Sequence, residues 1–313
     1  MSFSQAAESR YGVHSIDHFA LEVPSLAEAR TFFNAFGLDV SNEDGRLLLR
    51  TAGEPHVWGV LREGPRKRLA YLSFNCYAEE YEALRQQLRG QGVRDASTRP
   101  YASEEGAWYE DAAGNLFQVR VGPKTSPQRK DANVAVQVRA GERGVPGRQH
   151  VHKVQPRRLS HVLMFTPDID RAIAFYRDAL GLRLSDQSRG IVAFLHGRHG
   201  SDHHLVAFVQ GSARGWHHSS WDVPGIEDVG NGAEQMRLAG YAQGWGTGRH
   251  VLGSNYFHYV RDPWGSFAEY SAHMDYVPAG TPWTAGDHRP EDSLYLWGPE
   301  VPAFFTTNTE AAS

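Results

Sequence analysis

HSIDHFALEVPSLAEARTFFNAFGLDV, residues 14–40, and RLSHVLMFTPDIDRAIAFYRDALGLRL, residues 158–184, are two copies of one pattern. Each reads as a histidine-containing apolar strand, a turn with proline, an amphipathic helix, then Gly-Leu and a new strand. In the second copy Ile169, Ile173, Tyr176 and Leu180 recur at helical spacing and share a face; in the first, Ala29, Phe32, Phe33 and Phe36 do the same. Asp168 is placed to cap the second helix, and Gly181 to end it.

The match runs on. RLAYLSFN, residues 68–75, parallels GWHHSSWD, residues 215–222. A second helix follows in each half, over residues 78–91 and 226–239. Then YEDAAGNLFQ, residues 109–118, parallels VRDPWGSFAE, residues 260–269, each with an Asp and a Gly turning one strand into the next. Each half therefore predicts two helices and about eight strands, ordered strand, helix, three strands, twice over. Helices are too few for a doubly wound parallel sheet. The expected class is α+β, with two domains of paired βαβββ modules: residues 1–122, then a linker over 123–157 rich in basic residues, Gly, Pro and Gln, then residues 158–313. One strand is expected in the linker at residues 134–138, and the polar end TTNTEAAS, residues 306–313, is expected to fray.

Composition narrows the function. With 41% hydrophobic and 22% charged residues, the 313-residue chain has the balance of a folded protein and the length of two cores. A formal net charge of -4 removes the electrostatic case for nucleic acid or a membrane surface as partner. No apolar run approaches the roughly 18 residues that span a bilayer. The start MSFSQAAESRYGVHS has no basic stretch followed by an apolar one, so no secretory leader is expected. Cys76 is the one cysteine, which excludes an internal disulfide and multi-thiolate metal sites and makes a reducing cytoplasm the expected compartment. There is no glycine fingerprint before a helix, no P-loop and no nucleophile elbow.

The repeat singles out three positions. The second copy has His161, His218 and Glu269 where the first has His18, Tyr71 and Gln118. Two imidazoles and a carboxylate on three different strands suit a divalent metal, and such a face leaves positions open for Fe(II) oxygen chemistry, with Mn(II) as the substitute that the same ligands accept. A neutral amide and a phenol balance a metal's charge less well, so the first copy reads as a duplicated site that has lost its metal. Ordinary explanations compete: a lone strand histidine is more often a hydrogen-bonded core residue, and Glu269 has Arg249 and Arg261 as ion-pair candidates. Joint placement at equivalent points of a repeat favours the metal. Strand alternation allows at most one of His217 and His218 to face inward.

These residues resemble the type I extradiol ring-cleavage dioxygenases of the vicinal oxygen chelate superfamily, over nearly the whole chain. The best signature is YVRDPWGSFAE, residues 259–269, with a Tyr, a turn holding Pro and Gly, and a ligand Glu ten positions on. WHHSSW and GRHVLGSNYFHYVRDPWG look most like the branch that contains trihydroxytoluene oxygenase. The resemblance implies a metal held only in the C-terminal half by His161, His218 and Glu269, and a catechol or trihydroxybenzene as the small aromatic diol substrate, opened with dioxygen next to the diol. It implies His204 as the acid–base residue, with His203 as its fallback, and His217 as the fallback for His218. His250 and Tyr259 would hydrogen-bond the substrate oxygens. A homo-oligomer, a tetramer or larger, is implied too. Two other classes in the superfamily compete: metal-dependent glyoxalase- or isomerase-like enzymes, which need no dioxygen, and metal-free small-molecule binders.

Overall fold

The computed structural model describes residues 10–103, 105–132 and 134–311; the stretch read for a leader lies largely outside them, as do Ala312 and Ser313 of the tail. The first half runs β1 (Ser15–Val23), α1 (Leu26–Phe36), β2 (Asp39–Glu43), β3 (Arg46–Arg50), β4 (Gly59–Glu63), β5 (Arg68–Cys76), α2 (Ala78–Gly90), β6 (Ala107–Glu110) and β7 (Leu116–Val121). The second half runs β8 (Arg158–Thr166), α3 (Ile169–Asp178), β9 (Leu182–Ser188), β10 (Val192–Gly197), β11 (Ser201–Asp202), β12 (Val206–Gln210), β13 (Gly215–Asp222), α4 (Ile226–Leu238), β14 (Gly244–Arg249), β15 (Tyr256–Arg261), β16 (Phe267–Ala272), β17 (Tyr276–Val277) and β18 (Gly286–Asp287). The fold is α+β.

The helices form where their caps allow. Ser25 accepts from the Glu28 N–H and Asp168 from the Arg171 N–H, satisfying donors left open by the first turns of α1 and α3. The apolar stripe of α1 buries Ala29, Phe32, Phe33 and Phe36; that of α3 buries Ile169, Ala172, Ile173 and Tyr176.

The first sheet has the order β2-β3-β4-β1-β5-β7-β6 and the second β14-β15-β16-β13-β8-β12-β10-β9-β18. The pairings repeat: β1 lies parallel to β4 and antiparallel to β5, as β8 does to β12 and β13, and β5–β7 is parallel as β13–β16 is. Among the described residues the first sheet has no counterpart of β14. A single bridge, Asp95 to Tyr109, stands there, because the Asp95 carboxylate turns the chain by accepting from the Ser97 N–H, and Pro100 follows without a donor to give.

The two halves cover one another. Phe36 of α1 stacks on Tyr270 of β16 at 4.0 Å, and the Tyr270 hydroxyl donates to Phe36 O at 2.7 Å. Tyr176 of α3 donates to Asp111 beside β6 at 3.0 Å. Gly37 (φ +104°) ends α1 in left-handed backbone; α3 ends on Ala179 rather than on Gly181, which takes the same left-handed conformation (φ +69°) two residues later. A Cβ on Gly37 would lie 2.1 Å from Val154 O, on the lead into β8, and one on Gly181 2.5 Å from Tyr11 O, on the lead into β1. Each glycine admits the other half's entering strand, so one buried core runs through both halves.

Two expectations fail here. Residues 134–138 form no strand; the Val134 N–H donates to Pro224 O at 3.2 Å, outside any ladder. The end of the chain, as far as it is described, is tied down. Asn308 Nδ2 donates to Ala213 O at 3.0 Å, and the Glu310 carboxylate accepts from the N–H groups of Leu69 at 3.2 Å and Trp216 at 3.0 Å and from Lys67 Nζ at 3.2 Å. The polar composition that suggested fraying is the composition that docks it.

Candidate metal centre

A row of side chains crosses the second sheet. Ser220 of β13 pairs in register with His161 of β8 on one side and with Glu269 of β16 on the other; Glu269 pairs with Tyr259 of β15, and Tyr259 with Trp245 of β14. Residues directly opposite on neighbouring strands share a face, so all five point to one side, and His218 joins them two residues along β13. The first sheet repeats the row as His18, Ser73, Gln118 and Trp108.

Strand alternation misjudged the two histidines that open β13. Trp216 pairs with Met164 and His218 with Leu163, so His217 is an extra residue, a β-bulge. The bulge turns both imidazoles to the same side. Both are buried and both line the cavity.

His161, His218 and Glu269 are brought together, with one ligand atom from each lying within 4.8 Å of the others. His161 Nε2 is 3.3 Å from Glu269 Oε2 and 3.3 Å from His218 Nε2; His218 Nε2 is 3.6 Å from Glu269 Oε2. Arg249 and Arg261 go elsewhere, to Ser254 O and Gln243.

The far sides of the rings fix their hydrogens. His217 Nε2 faces Phe305 O at 2.8 Å and must donate, since a carbonyl only accepts. Burial holds its pKa down at about 4, so the ring is neutral and its Nδ1 is a lone pair. His218 Nδ1, 2.7 Å away, therefore carries the hydrogen, and His218 Nε2 presents a lone pair inward. On the other side Ser160 Oγ donates to Asp202 at 3.2 Å, leaving an oxygen lone pair for His161 Nδ1–H at 3.2 Å. Burial, then His217 and His161, pushes the pKa of His218 well below the ordinary imidazole range. Two imidazole lone pairs thus converge on Glu269 Oε2, a fully buried oxygen with no hydrogen-bond partner. Three acceptors facing one another without a hydrogen among them are unfavourable unless a cation lies between them. The donor set fits Fe(II) or Mn(II), with imidazole and carboxylate ligands of the preferred kinds.

The first half closes the same space with its own groups. Tyr71 and His18 Nε2 lie 3.0 Å apart, Ser73 donates to Gln118 Oε1 at 2.7 Å, and Gln118 Nε2 donates to Glu105 O at 2.6 Å.

The remaining candidates ring a cavity of about 260 Å³. Leu163, Val192, Phe194 and Leu252 wall it; His161, His204, His218, His250, Asn255 and Tyr259 give it a polar end. His250 Nδ1 donates to Leu294 O at 2.5 Å, so its Nε2 accepts from the Tyr259 hydroxyl at 2.9 Å. Burial and the Glu269 carboxylate hold the Tyr259 phenol well above its usual range, which keeps it a donor. His204 lies with its ring 4.1 Å from that of His161; burial, then His161 and His203, keeps its pKa well below the usual value. His203 does not line the cavity.

Sequence reasoning missed Asn255, whose Nδ2 donates to Glu269 Oε1 at 3.3 Å, and Ser220, buried between His161 and Glu269. The tail does contribute to the pocket, covering the cavity through Leu294 and Phe305. The serine was findable, since Ser73 occupies the same place in the repeat; Asn255 depends on a loop that the repeat does not share.

Residues 158–270 match the model of the Glyoxalase/Bleomycin resistance protein/Dioxygenase superfamily. Metapyrocatechase 2 of Cupriavidus necator is 56% identical over 310 residues, covering 99% of this chain and 97% of that protein. The chain belongs to the extradiol dioxygenases of the vicinal oxygen chelate superfamily. This extradiol dioxygenase is also 23% identical to the manganese-dependent 2,3-dihydroxybiphenyl 1,2-dioxygenase of Geobacillus genomosp. 3, over 91% of the chain and 93% of that protein. In fold it is similar to homoprotocatechuate 2,3-dioxygenase of Arthrobacter globiformis (TM-score 0.75, 21% identity, 97% and 94% of the two chains).

Proposed function

We propose that His161, His218 and Glu269 hold Fe(II), and that this extradiol dioxygenase opens a substituted catechol or trihydroxybenzene beside its two hydroxyls, inserting both atoms of dioxygen, as a step of aromatic compound degradation. The observation that carries the reading is the convergence of two imidazole nitrogens, His161 Nε2 and His218 Nε2, on the unpartnered Glu269 Oε2. Bound there, the metal supplies Lewis-acid activation of the diol and an electronic path from it to dioxygen.

The chain's own residues do the rest. The apolar walls take the ring, and a cavity at the small end of ligand sites suits one substituted ring rather than a larger molecule. Tyr259, kept protonated, and His250 bind the substrate oxygens and hold the ring in place. His204 exchanges a proton with the reacting oxygens, imidazole being the side chain suited to that near neutral pH. The tail and the apolar walls exclude bulk water. Residues 158–313 carry the chemistry; residues 1–122, joined through 123–157, buttress them without a metal of their own.

The chain acts in the cytoplasm as a homo-oligomer. Support comes from its single, buried Cys76, and from Leu296 and Trp297, apolar and exposed on the tail. Among the described residues no helix is long and apolar enough to cross a membrane.

The test is oxygen uptake by protein reconstituted anaerobically with Fe(II), and in parallel with Mn(II), against catechols, methylcatechols and trihydroxybenzenes. Visible absorbance is followed in the same cell, with His218→Ala as control. Oxygen consumed with a coloured ring-opened product, lost in the variant, is expected. Metal bound without oxygen consumed on any diol would overturn the reading and favour metal-assisted proton transfer.

A further inference from the structure

The sequence contains a second pair of adjacent histidines, His203 and His204, and the proposed function uses only His204. Its neighbour is 1% exposed and away from the cavity. An imidazole buried behind an acid–base group has no evident use unless it acts on that group.

Its bonds are directional. His203 Nε2 lies 2.7 Å from Asp186 Oδ2, and His203 Nδ1 lies 3.1 Å from His204 Nδ1. The other carboxylate oxygen, Oδ1, accepts from the Gly286 N–H at 2.8 Å and faces His288 Nε2 at 3.0 Å. Backbone bonds keep His203 in place: its N–H donates to Asp275 O at 2.6 Å, and its carbonyl accepts from Ser185 Oγ. Burial would raise the Asp186 pKa, but hydrogen bonds from His203, His288 and Gly286 outweigh it and hold the group below its ordinary value, as a carboxylate.

A carboxylate only accepts, so His203 carries its hydrogen on Nε2. In the neutral ring Nδ1 is then a lone pair. His204 must answer with a hydrogen on Nδ1, which leaves the lone pair of His204 Nε2 for the cavity. We infer that Asp186 and His203 are positioning residues that hold His204 in the Nδ1–H tautomer, with its basic nitrogen turned toward substrate. No proton is gained or lost; only its place on the ring is set. The pair His217–His218 has the same arrangement, with the Phe305 carbonyl in the place of Asp186. The doubled histidine is therefore one device used twice, a selector followed by the ring that it selects.

Asp186→Asn should reverse the relay. The Gly286 N–H requires an acceptor at the Oδ1 position, so the amide oxygen stays there and the NH₂ faces His203. His203 must then accept on Nε2, carry its hydrogen on Nδ1 and donate to His204, whose hydrogen moves to Nε2. A neutral carboxamide thus turns the working nitrogen from base to donor, as an Asp-to-Asn change does to the histidine of a hydrolase triad.

The inference rests on the acid–base role proposed for His204, but its test reads the ring directly. Metal-free protein labelled with ¹⁵N in its histidine rings is examined by two-bond ¹H–¹⁵N correlation at mildly alkaline pH. His204 is identified by the signals lost in His204→Gln. The expected result is the Nδ1–H form in the unmodified protein and the Nε2–H form in Asp186→Asn. Reconstituted Asp186→Asn should lose roughly 100-fold or more in kcat with KM little changed, the pattern of a misdirected proton-transfer group. Asp186→Glu, which keeps an acceptor, should retain the Nδ1–H form. An Nε2–H form in the unmodified protein would overturn the inference, and that measurement stands even if Asp186→Asn does not fold. An unchanged tautomer in folded Asp186→Asn would overturn it as well. If both tautomers are as expected while His204→Gln cleaves diols at full rate, the positioning stands and the acid–base role of His204 falls.

Discussion

Glu269 Oε2 and His161 Nε2 face each other across 3.3 Å, buried, with no hydrogen bond between them. Gln118 of the first half, at the same point of the repeat, is bonded through both its oxygen and its nitrogen. The comparison predicts a reversal of sign for Glu269→Gln. Without metal the variant should be more stable than the parent by about 1 kcal/mol or more, because an unsatisfied buried charge becomes a neutral group that can donate. With metal the parent should gain, since a ligand that binds only the folded state stabilises it. Urea melts with chelator and with Fe(II) or Mn(II) check this. A variant less stable than the parent in chelator would count against a cation site.

Asn255 holds the other oxygen of the same carboxylate and also bonds Ser271 Oγ at 2.9 Å. Its own Oδ1 is buried without a partner. Asn255→Leu removes that liability but takes the donor from Glu269 Oε1 and from Ser271 Oγ, so without metal the fold should lose about 1–3 kcal/mol. Metal affinity should fall about 10- to 100-fold, the usual effect of losing a group behind a ligand. Competition with a chelator of known affinity measures it.

Much of this was legible in the sequence, and the limits have physical causes. The row of candidate ligands was readable because a repeat supplies its own alignment: His161, His218 and Glu269 differ from His18, Tyr71 and Gln118 while the strands around them match. The facing of His217 was not readable, since a bulge is a property of two paired strands and neither strand alone reveals the extra residue. The tail was misread because TTNTEAAS has no periodicity, and its anchors, Lys67, Leu69, Ala213 and Trp216, lie far from it in the chain. Asp186 as a partner of His203 was hidden because it sits on a separate strand, β9, its second oxygen being fixed by Gly286, 100 residues away.

Three buried imidazoles, His14, His196 and His217, and the half-buried His258 have pKa values held down at about 4 against an ordinary 6.5, in each case chiefly by loss of hydration. Their folded values lie below their unfolded values, so the stability they contribute is full above about pH 6.5 and is lost as pH falls toward 4. Asp222, raised by burial to about 6, acts in the opposite sense and offsets part of the loss. The metal-free protein should therefore lose stability steadily from pH 6.5 to pH 4.5. Urea midpoints at four pH values would show it, and a flat profile would contradict the neutral state of these rings.

Lys67 and Glu310 form a buried ion pair between the first half and the tail, at 3.2 Å. Lys67 also donates to Trp216 O at 3.0 Å and to Ser266 Oγ, at the start of β13 and beside β16. Three residues before the tail's last turn, the Phe305 carbonyl fixes His217 and through it His218. The pair therefore latches the segment that sets the ligand. Glu310→Ala leaves a buried ammonium with Asp262 as its remaining charged neighbour and should cost up to about 3–5 kcal/mol, whereas Lys67→Met leaves a carboxylate still held by the N–H groups of Leu69 and Trp216 and should cost less. The two changes should be far from additive, because one contact is removed twice. Urea melts of the two single variants and the double variant give the coupling. Metal affinity should weaken in Glu310→Ala alongside stability if the tail holds His217; unchanged affinity would show that β13 orients His218 without it.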